Sequence, residues 1–271
     1  MAELTIQTAG VTLSGEQAGE GKPVVLLHGL TSTRRYVVMG SKALERDGHR
    51  VISYDARGHG ASTPAPNPAA YSFVELSSDL LAVLDRAGVD KAVIAGNSMG
   101  GHTALRFALE HPDRVAGLVV ITPAFEPQGG RDLAQWDRLS EGLRRGGPEG
   151  FLAAMGSLRV PEQYQQTIKT AVLQRMRAHQ HPDAVADALR VVPRAAAFGD
   201  YADLSAISVP TVVIASYDDI DYEHPYAVAE RYAQALPGSR TVIEDPGKSP
   251  LAWQGGRVSA VIAEVAGEAA W

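Results

Sequence analysis

Short apolar runs rich in β-branched residues recur along the chain, at Val24–Leu27, Arg50–Tyr54, Lys91–Ala95, Gly117–Ile121, Thr211–Ala215 and Thr241–Ile243. Runs this short, continuous rather than alternating, predict strands buried on both faces of a parallel sheet. Residues 4–19 alternate instead and carry Gly10, Gly15 and Gly19, which predicts a hairpin of edge strands. Between the runs the period becomes helical. Tyr71–Ala87 places Phe73, Leu76, Leu80, Leu81 and Leu84 on one stripe. Met99–Glu110 predicts a second helix, which ends at His111-Pro112 because the residue before a proline disfavours helical geometry. Tyr226–Leu236 predicts a third, closed by Pro237-Gly238. Strands alternating with helices predict an α/β fold with a doubly wound, mostly parallel sheet.

The alternation lapses between about Phe125 and Asp203. That stretch is helical in pattern and rich in Arg, Gln and Ala. It is punctuated by Gly129-Gly130, Gly146-Gly147-Pro148, Pro161 and Pro182, and has no convincing strand. The expected organisation is therefore a core formed by residues 1–124 and 204–271, with residues 125–203 as an inserted helical cap over one end of the sheet.

Composition narrows the function classes. A chain of 271 residues with 45% apolar and 21% charged positions can bury one sizeable core. A net charge of −6, with no basic run longer than Arg144-Arg145, argues against a nucleic-acid partner. Cysteine is absent, so neither a disulfide nor a thiolate zinc site is expected. The N-terminus has no charged stretch leading into an apolar one, and no apolar run approaches a membrane span. A cytoplasmic protein with a small-molecule partner and no membrane partner is expected. No phosphate-binding glycine loop or dinucleotide fingerprint occurs. His179-x-His181 is the close histidine pair and reads as surface, so neither a metal nor a cofactor is expected.

The strongest chemical signal follows the run Lys91–Ala95. There Gly96-Asn97-Ser98-Met99-Gly100-Gly101 joins a strand to a helix, in the spacing G-x-S-x-G. Such a turn is tight enough to require small flanking residues. It strains the backbone at Ser98 and presents the hydroxyl at a helix N-terminus, where free N–H groups favour developing negative charge. Two further motifs sit in order before it: His28-Gly29-Leu30 after one strand, and Asp55-Ala56-Arg57-Gly58-His59-Gly60-Ala61-Ser62 after another.

Together these motifs resemble the α/β-hydrolase family, along nearly the whole chain and most weakly in the insertion. The resemblance implies that Ser98 is a nucleophile and that the backbone N–H groups of Leu30 and Met99 form an oxyanion hole. It also implies that His28 supports its loop by hydrogen bonding. His59 reads as structural and His102 as packed.

The chain departs from the family at its far end. The family's triad runs Ser, then Asp or Glu, then a His after the last strand. Here Thr241–Ile243 leads into Glu244-Asp245-Pro246-Gly247-Lys248-Ser249-Pro250, Lys248 stands where the His is expected, and no His follows His224. The acid has two candidates. Counting forward from Thr211–Ala215 favours Asp219, and counting back from the next helix favours Asp221. The second register resembles a subset of bacterial hydrolase-like sequences that pair Asp-Pro-x-His-Pro with a later Lys-Ser.

Three readings of the base follow. His224 suits proton shuttling through its ordinary pKa of about 6.5. Lys248 could serve as in Ser-Lys enzymes if desolvation lowered its pKa, although a neighbouring Asp would keep it charged. In the third reading no base acts, and the pocket binds a ligand or performs an isomerisation or cyclisation. The leading expectation is a serine-dependent hydrolase of a small ester, thioester or lactone, with Phe125, Trp136, Phe151, Met155 and Phe198 as candidate pocket residues.

Overall fold

A computed structural model describes residues 1–127, 132–217 and 220–271. The apolar runs form strands β1 (Ala2–Thr8), β2 (Val11–Ala18), β3 (Lys22–Leu27), β4 (His49–Tyr54), β5 (Ala92–Asn97), β6 (Val115–Ile121), β7 (Thr211–Ile214) and β8 (Arg240–Val242). Strands β3 to β8 begin and end within about two residues of the runs that predict them, the usual uncertainty of element ends. The eight strands make one sheet in the order β1-β2-β4-β3-β5-β6-β7-β8. From β4 to β8 every pairing is parallel, while β1 and β2 join antiparallel. The sequence reading of 4–19 as two edge strands is corrected here. Of these two only β1 is an edge, since β2 pairs with both β1 and β4. Its alternation persists because Val11 and Leu13 turn inward while Thr12 and Ser14 stay half-buried.

Parallel strands need crossovers, which carry α1 (Ala43–Arg46), α2 (Phe73–Ala87), α3 (Met99–Glu110) and α7 (Tyr226–Ala235), while α8 (Gly255–Glu268) follows the last strand. The strand period of two sorts side chains between the layers. Along β3, Val25 and Leu27 join α2, α3 and α7 on one face, while Val24 and Leu26 join α1 and α8 on the other. Because β3, β5, β6, β7 and β8 run the same way, the loops leaving their C-terminal ends gather at one edge of the sheet. Open α/β sheets place ligands at that edge.

Between β6 and β7 the described chain forms three helices, α4 (Leu133–Met155), α5 (Glu162–Arg177) and α6 (Pro182–Val191). A kink at Gly146-Gly147, just before Pro148, folds α4 in two. These helices enclose an apolar cluster of their own, with Leu139, Leu143, Phe151, Val172, Met176, Val185 and Leu189 buried in it. Among the described residues no helix is long and apolar enough to cross a membrane.

A buried ion pair braces the face beside α2. The Arg57 guanidinium donates to both Asp79 oxygens, at 2.8 and 2.7 Å, and to the Ala70 carbonyl at 2.7 Å. Burial raises the Asp79 pKa, and the hydrogen bonds and charge of Arg57 oppose that rise.

Candidate active site

Ser98 lies between β5 and α3 with φ 48° and ψ −111°, a conformation that costs a non-glycine residue on the order of 1–3 kcal/mol. Its neighbours hold it there. The Ser98 N–H donates to the Ile121 carbonyl at 2.8 Å, and its carbonyl accepts from His102 N–H at 3.0 Å. The flanking glycines are obligatory by space alone. A Cβ on Gly96 would lie 2.2 Å from the Gly100 carbonyl, and one on Gly100 would lie 2.3 Å from the Leu27 oxygen.

The Ser98 side chain is half-buried and opens on a cavity of about 710 Å³. Leu30 and Met99 line the same cavity. The Leu30 N–H makes no hydrogen bond among the described residues. Met99 is the first residue of α3, where the N–H has no partner within the helix. Two amides beside a presented hydroxyl can bind an oxyanion.

The cavity wall continues with Trp136 and Met155 from α4, with Arg159, and with Tyr222, Glu223 and Pro225 from the loop after β7. Of the five residues expected to line it, only Trp136 and Met155 do so. Phe125 and Phe198 are packed against the core beside α3 and α7, and Phe151 fills the cluster among α4, α5 and α6. Their apolarity was satisfied by packing. A separate cavity of about 510 Å³ lies away from Ser98, and its charges are largely paired: Arg34 with Asp55 and Glu16, and Lys42 with Glu45.

Three histidines are structural. His28 accepts the Ala56 N–H at Nε2 (2.8 Å) and donates from Nδ1 to the Gly29 carbonyl (2.8 Å). Burial pushes its pKa down to about 4. His59 donates from Nδ1 to the Arg57 carbonyl at 2.9 Å, and burial together with His28 pushes its pKa down to about 3. His102 accepts the N–H groups of Ala124 and Phe125 at Nε2, both at 3.1 Å. The expectation that His179-x-His181 lies at the surface fails for His179. That ring is buried, stands 5.5 Å from His59, and has its pKa pushed down to about 4 by burial and by His59. Tertiary packing of the segment after α5 against Gly60 decides this, and local polarity carries no sign of it.

The loops after β7 and β8 carry the remaining candidates. Asp221 and His224 meet, with the His224 Nδ1 2.7 Å from the Asp221 Oδ1. Desolvation works to lower the His224 pKa. The charge and hydrogen bond of Asp221, with the charge of Glu223, outweigh it and hold the pKa above the ordinary imidazole value, while Arg175 opposes them. Burial lowers the pKa of Arg175 on α5, and the charges of Glu223, Tyr36 and Asp221 oppose that shift. Asp219 lies outside the described residues. Lys248 is exposed and its ammonium makes no hydrogen bond or ion pair among the described residues, although its backbone N–H caps a turn at the Asp245 carbonyl (3.0 Å). No nitrogen lies within hydrogen-bond reach of the Ser98 hydroxyl among the described residues.

Sequence reasoning passed over Glu244. Its buried carboxylate accepts the Tyr217 N–H at 2.8 Å and the Leu251 N–H at 2.9 Å, tying the two loops together. An acidic residue directly after an apolar strand was the available signal.

A family model described as alpha/beta hydrolase fold matches residues 22–255, and the chain belongs to that family. It is a hydrolase of the α/β-hydrolase fold. A relative bearing the name carbamate hydrolase RutD, from Pseudomonas savastanoi pathovar phaseolicola, is 30% identical over 235 residues, 85% of this chain and 88% of its own. A thermophilic esterase from Thermogutta terrifontis superposes with a TM-score of 0.77 at 30% identity, covering 97% of each chain. Est816, an N-acyl homoserine lactone degrading enzyme, superposes with a TM-score of 0.76 at 25% identity, covering 97% of this chain and 99% of its own.

Proposed function

We propose that this protein is a serine-dependent hydrolase of a small ester, thioester or lactone. Ser98 is the nucleophile, the Leu30 and Met99 amides are the oxyanion donors, and the α4–α6 segment is the cap over the cavity. His224 is the base, oriented by Asp221. The observation that carries this reading is the Asp221–His224 contact of 2.7 Å. A carboxylate can only accept, so it fixes the proton on Nδ1 and leaves Nε2 as an acceptor, the form a general base needs. Lys248 is exposed, and among the described residues its ammonium has no partner to aim it. Tyr222, Glu223 and Pro225, which surround His224 in sequence, already line the cavity. A short rearrangement of this loop on substrate binding brings Nε2 to the Ser98 hydroxyl, since catalytic hydrogen bonds often tighten only in the complex. The relatives named for ester and lactone cleavage support the substrate class.

The test pairs a fluorophosphonate probe with a small activated ester. Wild type is labelled and turns over; Ser98→Ala does neither. His224→Ala loses about 10²–10⁴-fold in kcat, and Lys248→Met stays within about twofold of wild type. An unlabelled but folded wild type removes the hydrolase reading of Ser98. A large loss in Lys248→Met alone transfers the base to Lys248.

A further inference from the structure

The loop 28–33 carries the Leu30 amide, and it is held from two directions. On the near side, the Gly29 carbonyl accepts from His28 Nδ1 at 2.8 Å and from the Ser32 N–H at 3.0 Å. Across a trans peptide bond the next N–H points opposite to the carbonyl. Anchoring the Gly29 oxygen therefore aims the Leu30 N–H the other way. On the far side stands Thr31, at φ +67°. A β-branched residue rarely adopts that conformation and keeps it only where its surroundings over-determine it.

His179 supplies that constraint from the segment joining α5 to α6. Its Nδ1 accepts the Gly60 N–H at 2.9 Å, and its Nε2 lies 3.2 Å from the Thr31 carbonyl. A backbone N–H only donates and a carbonyl only accepts, so the tautomer is set: Nδ1 bare, Nε2 protonated. The next residue completes the clasp, with the Gln180 N–H donating to the Gly60 carbonyl at 2.9 Å. The Leu30 side chain packs against both the sheet core and the cluster among α4, α5 and α6. Helices α4–α6 and the oxyanion loop thus share a side chain contact and a hydrogen-bonded bridge.

We propose that His179 is a positioning residue: its bridge from the Gly60 N–H to the Thr31 carbonyl sets the direction of the Leu30 amide and makes a functional oxyanion hole depend on the seating of helices α4–α6. The inference rests on the reading of Ser98 as nucleophile and Leu30 as oxyanion donor. It adds that a residue outside the cavity lining controls transition-state binding.

The experiment compares His179→Leu with His179→Gln. Leucine fills the space and removes both hydrogen bonds. The glutamine amide can accept from Gly60 and donate to Thr31. On an activated ester, His179→Leu loses about 10- to 100-fold in kcat, with KM within about twofold. Its affinity for an arylboronic acid, which becomes tetrahedral on Ser98, falls by the same factor. Glutamine restores most of both. His181→Ala, two residues along, behaves as wild type. Hydrogen exchange on the wild type gives a reading that needs no variant: the boronic acid slows exchange at residues 177–181 as well as at 28–33. Wild-type kcat and boronate affinity in folded His179→Leu overturns the proposal, and so does boronate binding that leaves 177–181 unprotected. A wild type that binds no boronate and takes no fluorophosphonate removes the reading of Ser98 beneath it, and this inference with it.

Discussion

The loops after β3 and β5 carry Leu30, Ser98 and Met99, and the loops after β7 and β8 carry Asp221, His224 and Lys248. The first pair is fixed by buried groups. Gly96 and Gly100 leave no room for a Cβ, and His28 and His179 hold the loop 28–33 on either side. The second pair is more open: among its described residues 221–225 are half-buried or exposed and 245–248 are exposed, tied in by the Glu244 carboxylate between Tyr217 and Leu251 and by the local Asp221–His224 contact. Lys248 stands exposed within it. In the proposed mechanism charge stabilisation requires donors that do not move during reaction, which the buried side supplies. The proposed base must approach and withdraw, and a half-exposed loop can do so.

The largest effects should come from removing chemistry on each side. Ser98→Ala should lower kcat at least about 10³-fold, and His224→Ala somewhat less, as measured on an activated ester. On the rigid side, Asp79→Ala strands the buried Arg57 charge and should cost about 3–5 kcal/mol in urea unfolding. On the looser side, Glu244→Ala leaves the Tyr217 and Leu251 N–H groups without their acceptor, and should cost about 1–3 kcal/mol. An equal loss at the two positions would erase the contrast between the sides.

The pH responses should also differ. On the looser side His224 must be neutral to act as a base, and Asp221 keeps its pKa raised, so the acid limb of kcat/KM should lie above pH 6.5. Asp221→Asn removes that charge and should move the limb to lower pH. On the rigid side His28, His59 and His179 are buried neutral, with folded pKa values of about 4, 3 and 4 against about 6.5 for a free imidazole. The unfolded chain then binds more protons below pH 6.5. The stability these groups contribute is complete above that value and is lost progressively as pH falls towards 4 and 3. Urea midpoints measured from pH 7 to pH 4 check the slope, and His179→Gln should flatten it.

The physical reasons the site was only partly readable are visible residue by residue. Ser98 was readable because its constraints are local: a strand, a helix and glycines within five positions. Asp221 and His224 were readable as a pair because they lie three positions apart, although which acid faced which base stayed open. Glu244 and His179 were not, because their partners lie seven and twenty-seven positions away in one case and more than a hundred in the other. A histidine that bridges two distant backbone groups looks, in sequence, like any other histidine in a polar connection.

By itself the sequence determined the α/β alternation, the parallel sheet and the elbow that presents Ser98, because strand period, helix period and steric exclusion at glycine act between near neighbours. Only the tertiary structure decided that β2 lies inside the sheet, that Phe125, Phe151 and Phe198 are core, that His179 is buried against Thr31, and that Lys248 faces solvent. Each of these depends on which surfaces meet after the chain has folded, and burial and hydrogen-bond partners are properties of those meetings rather than of the residues alone.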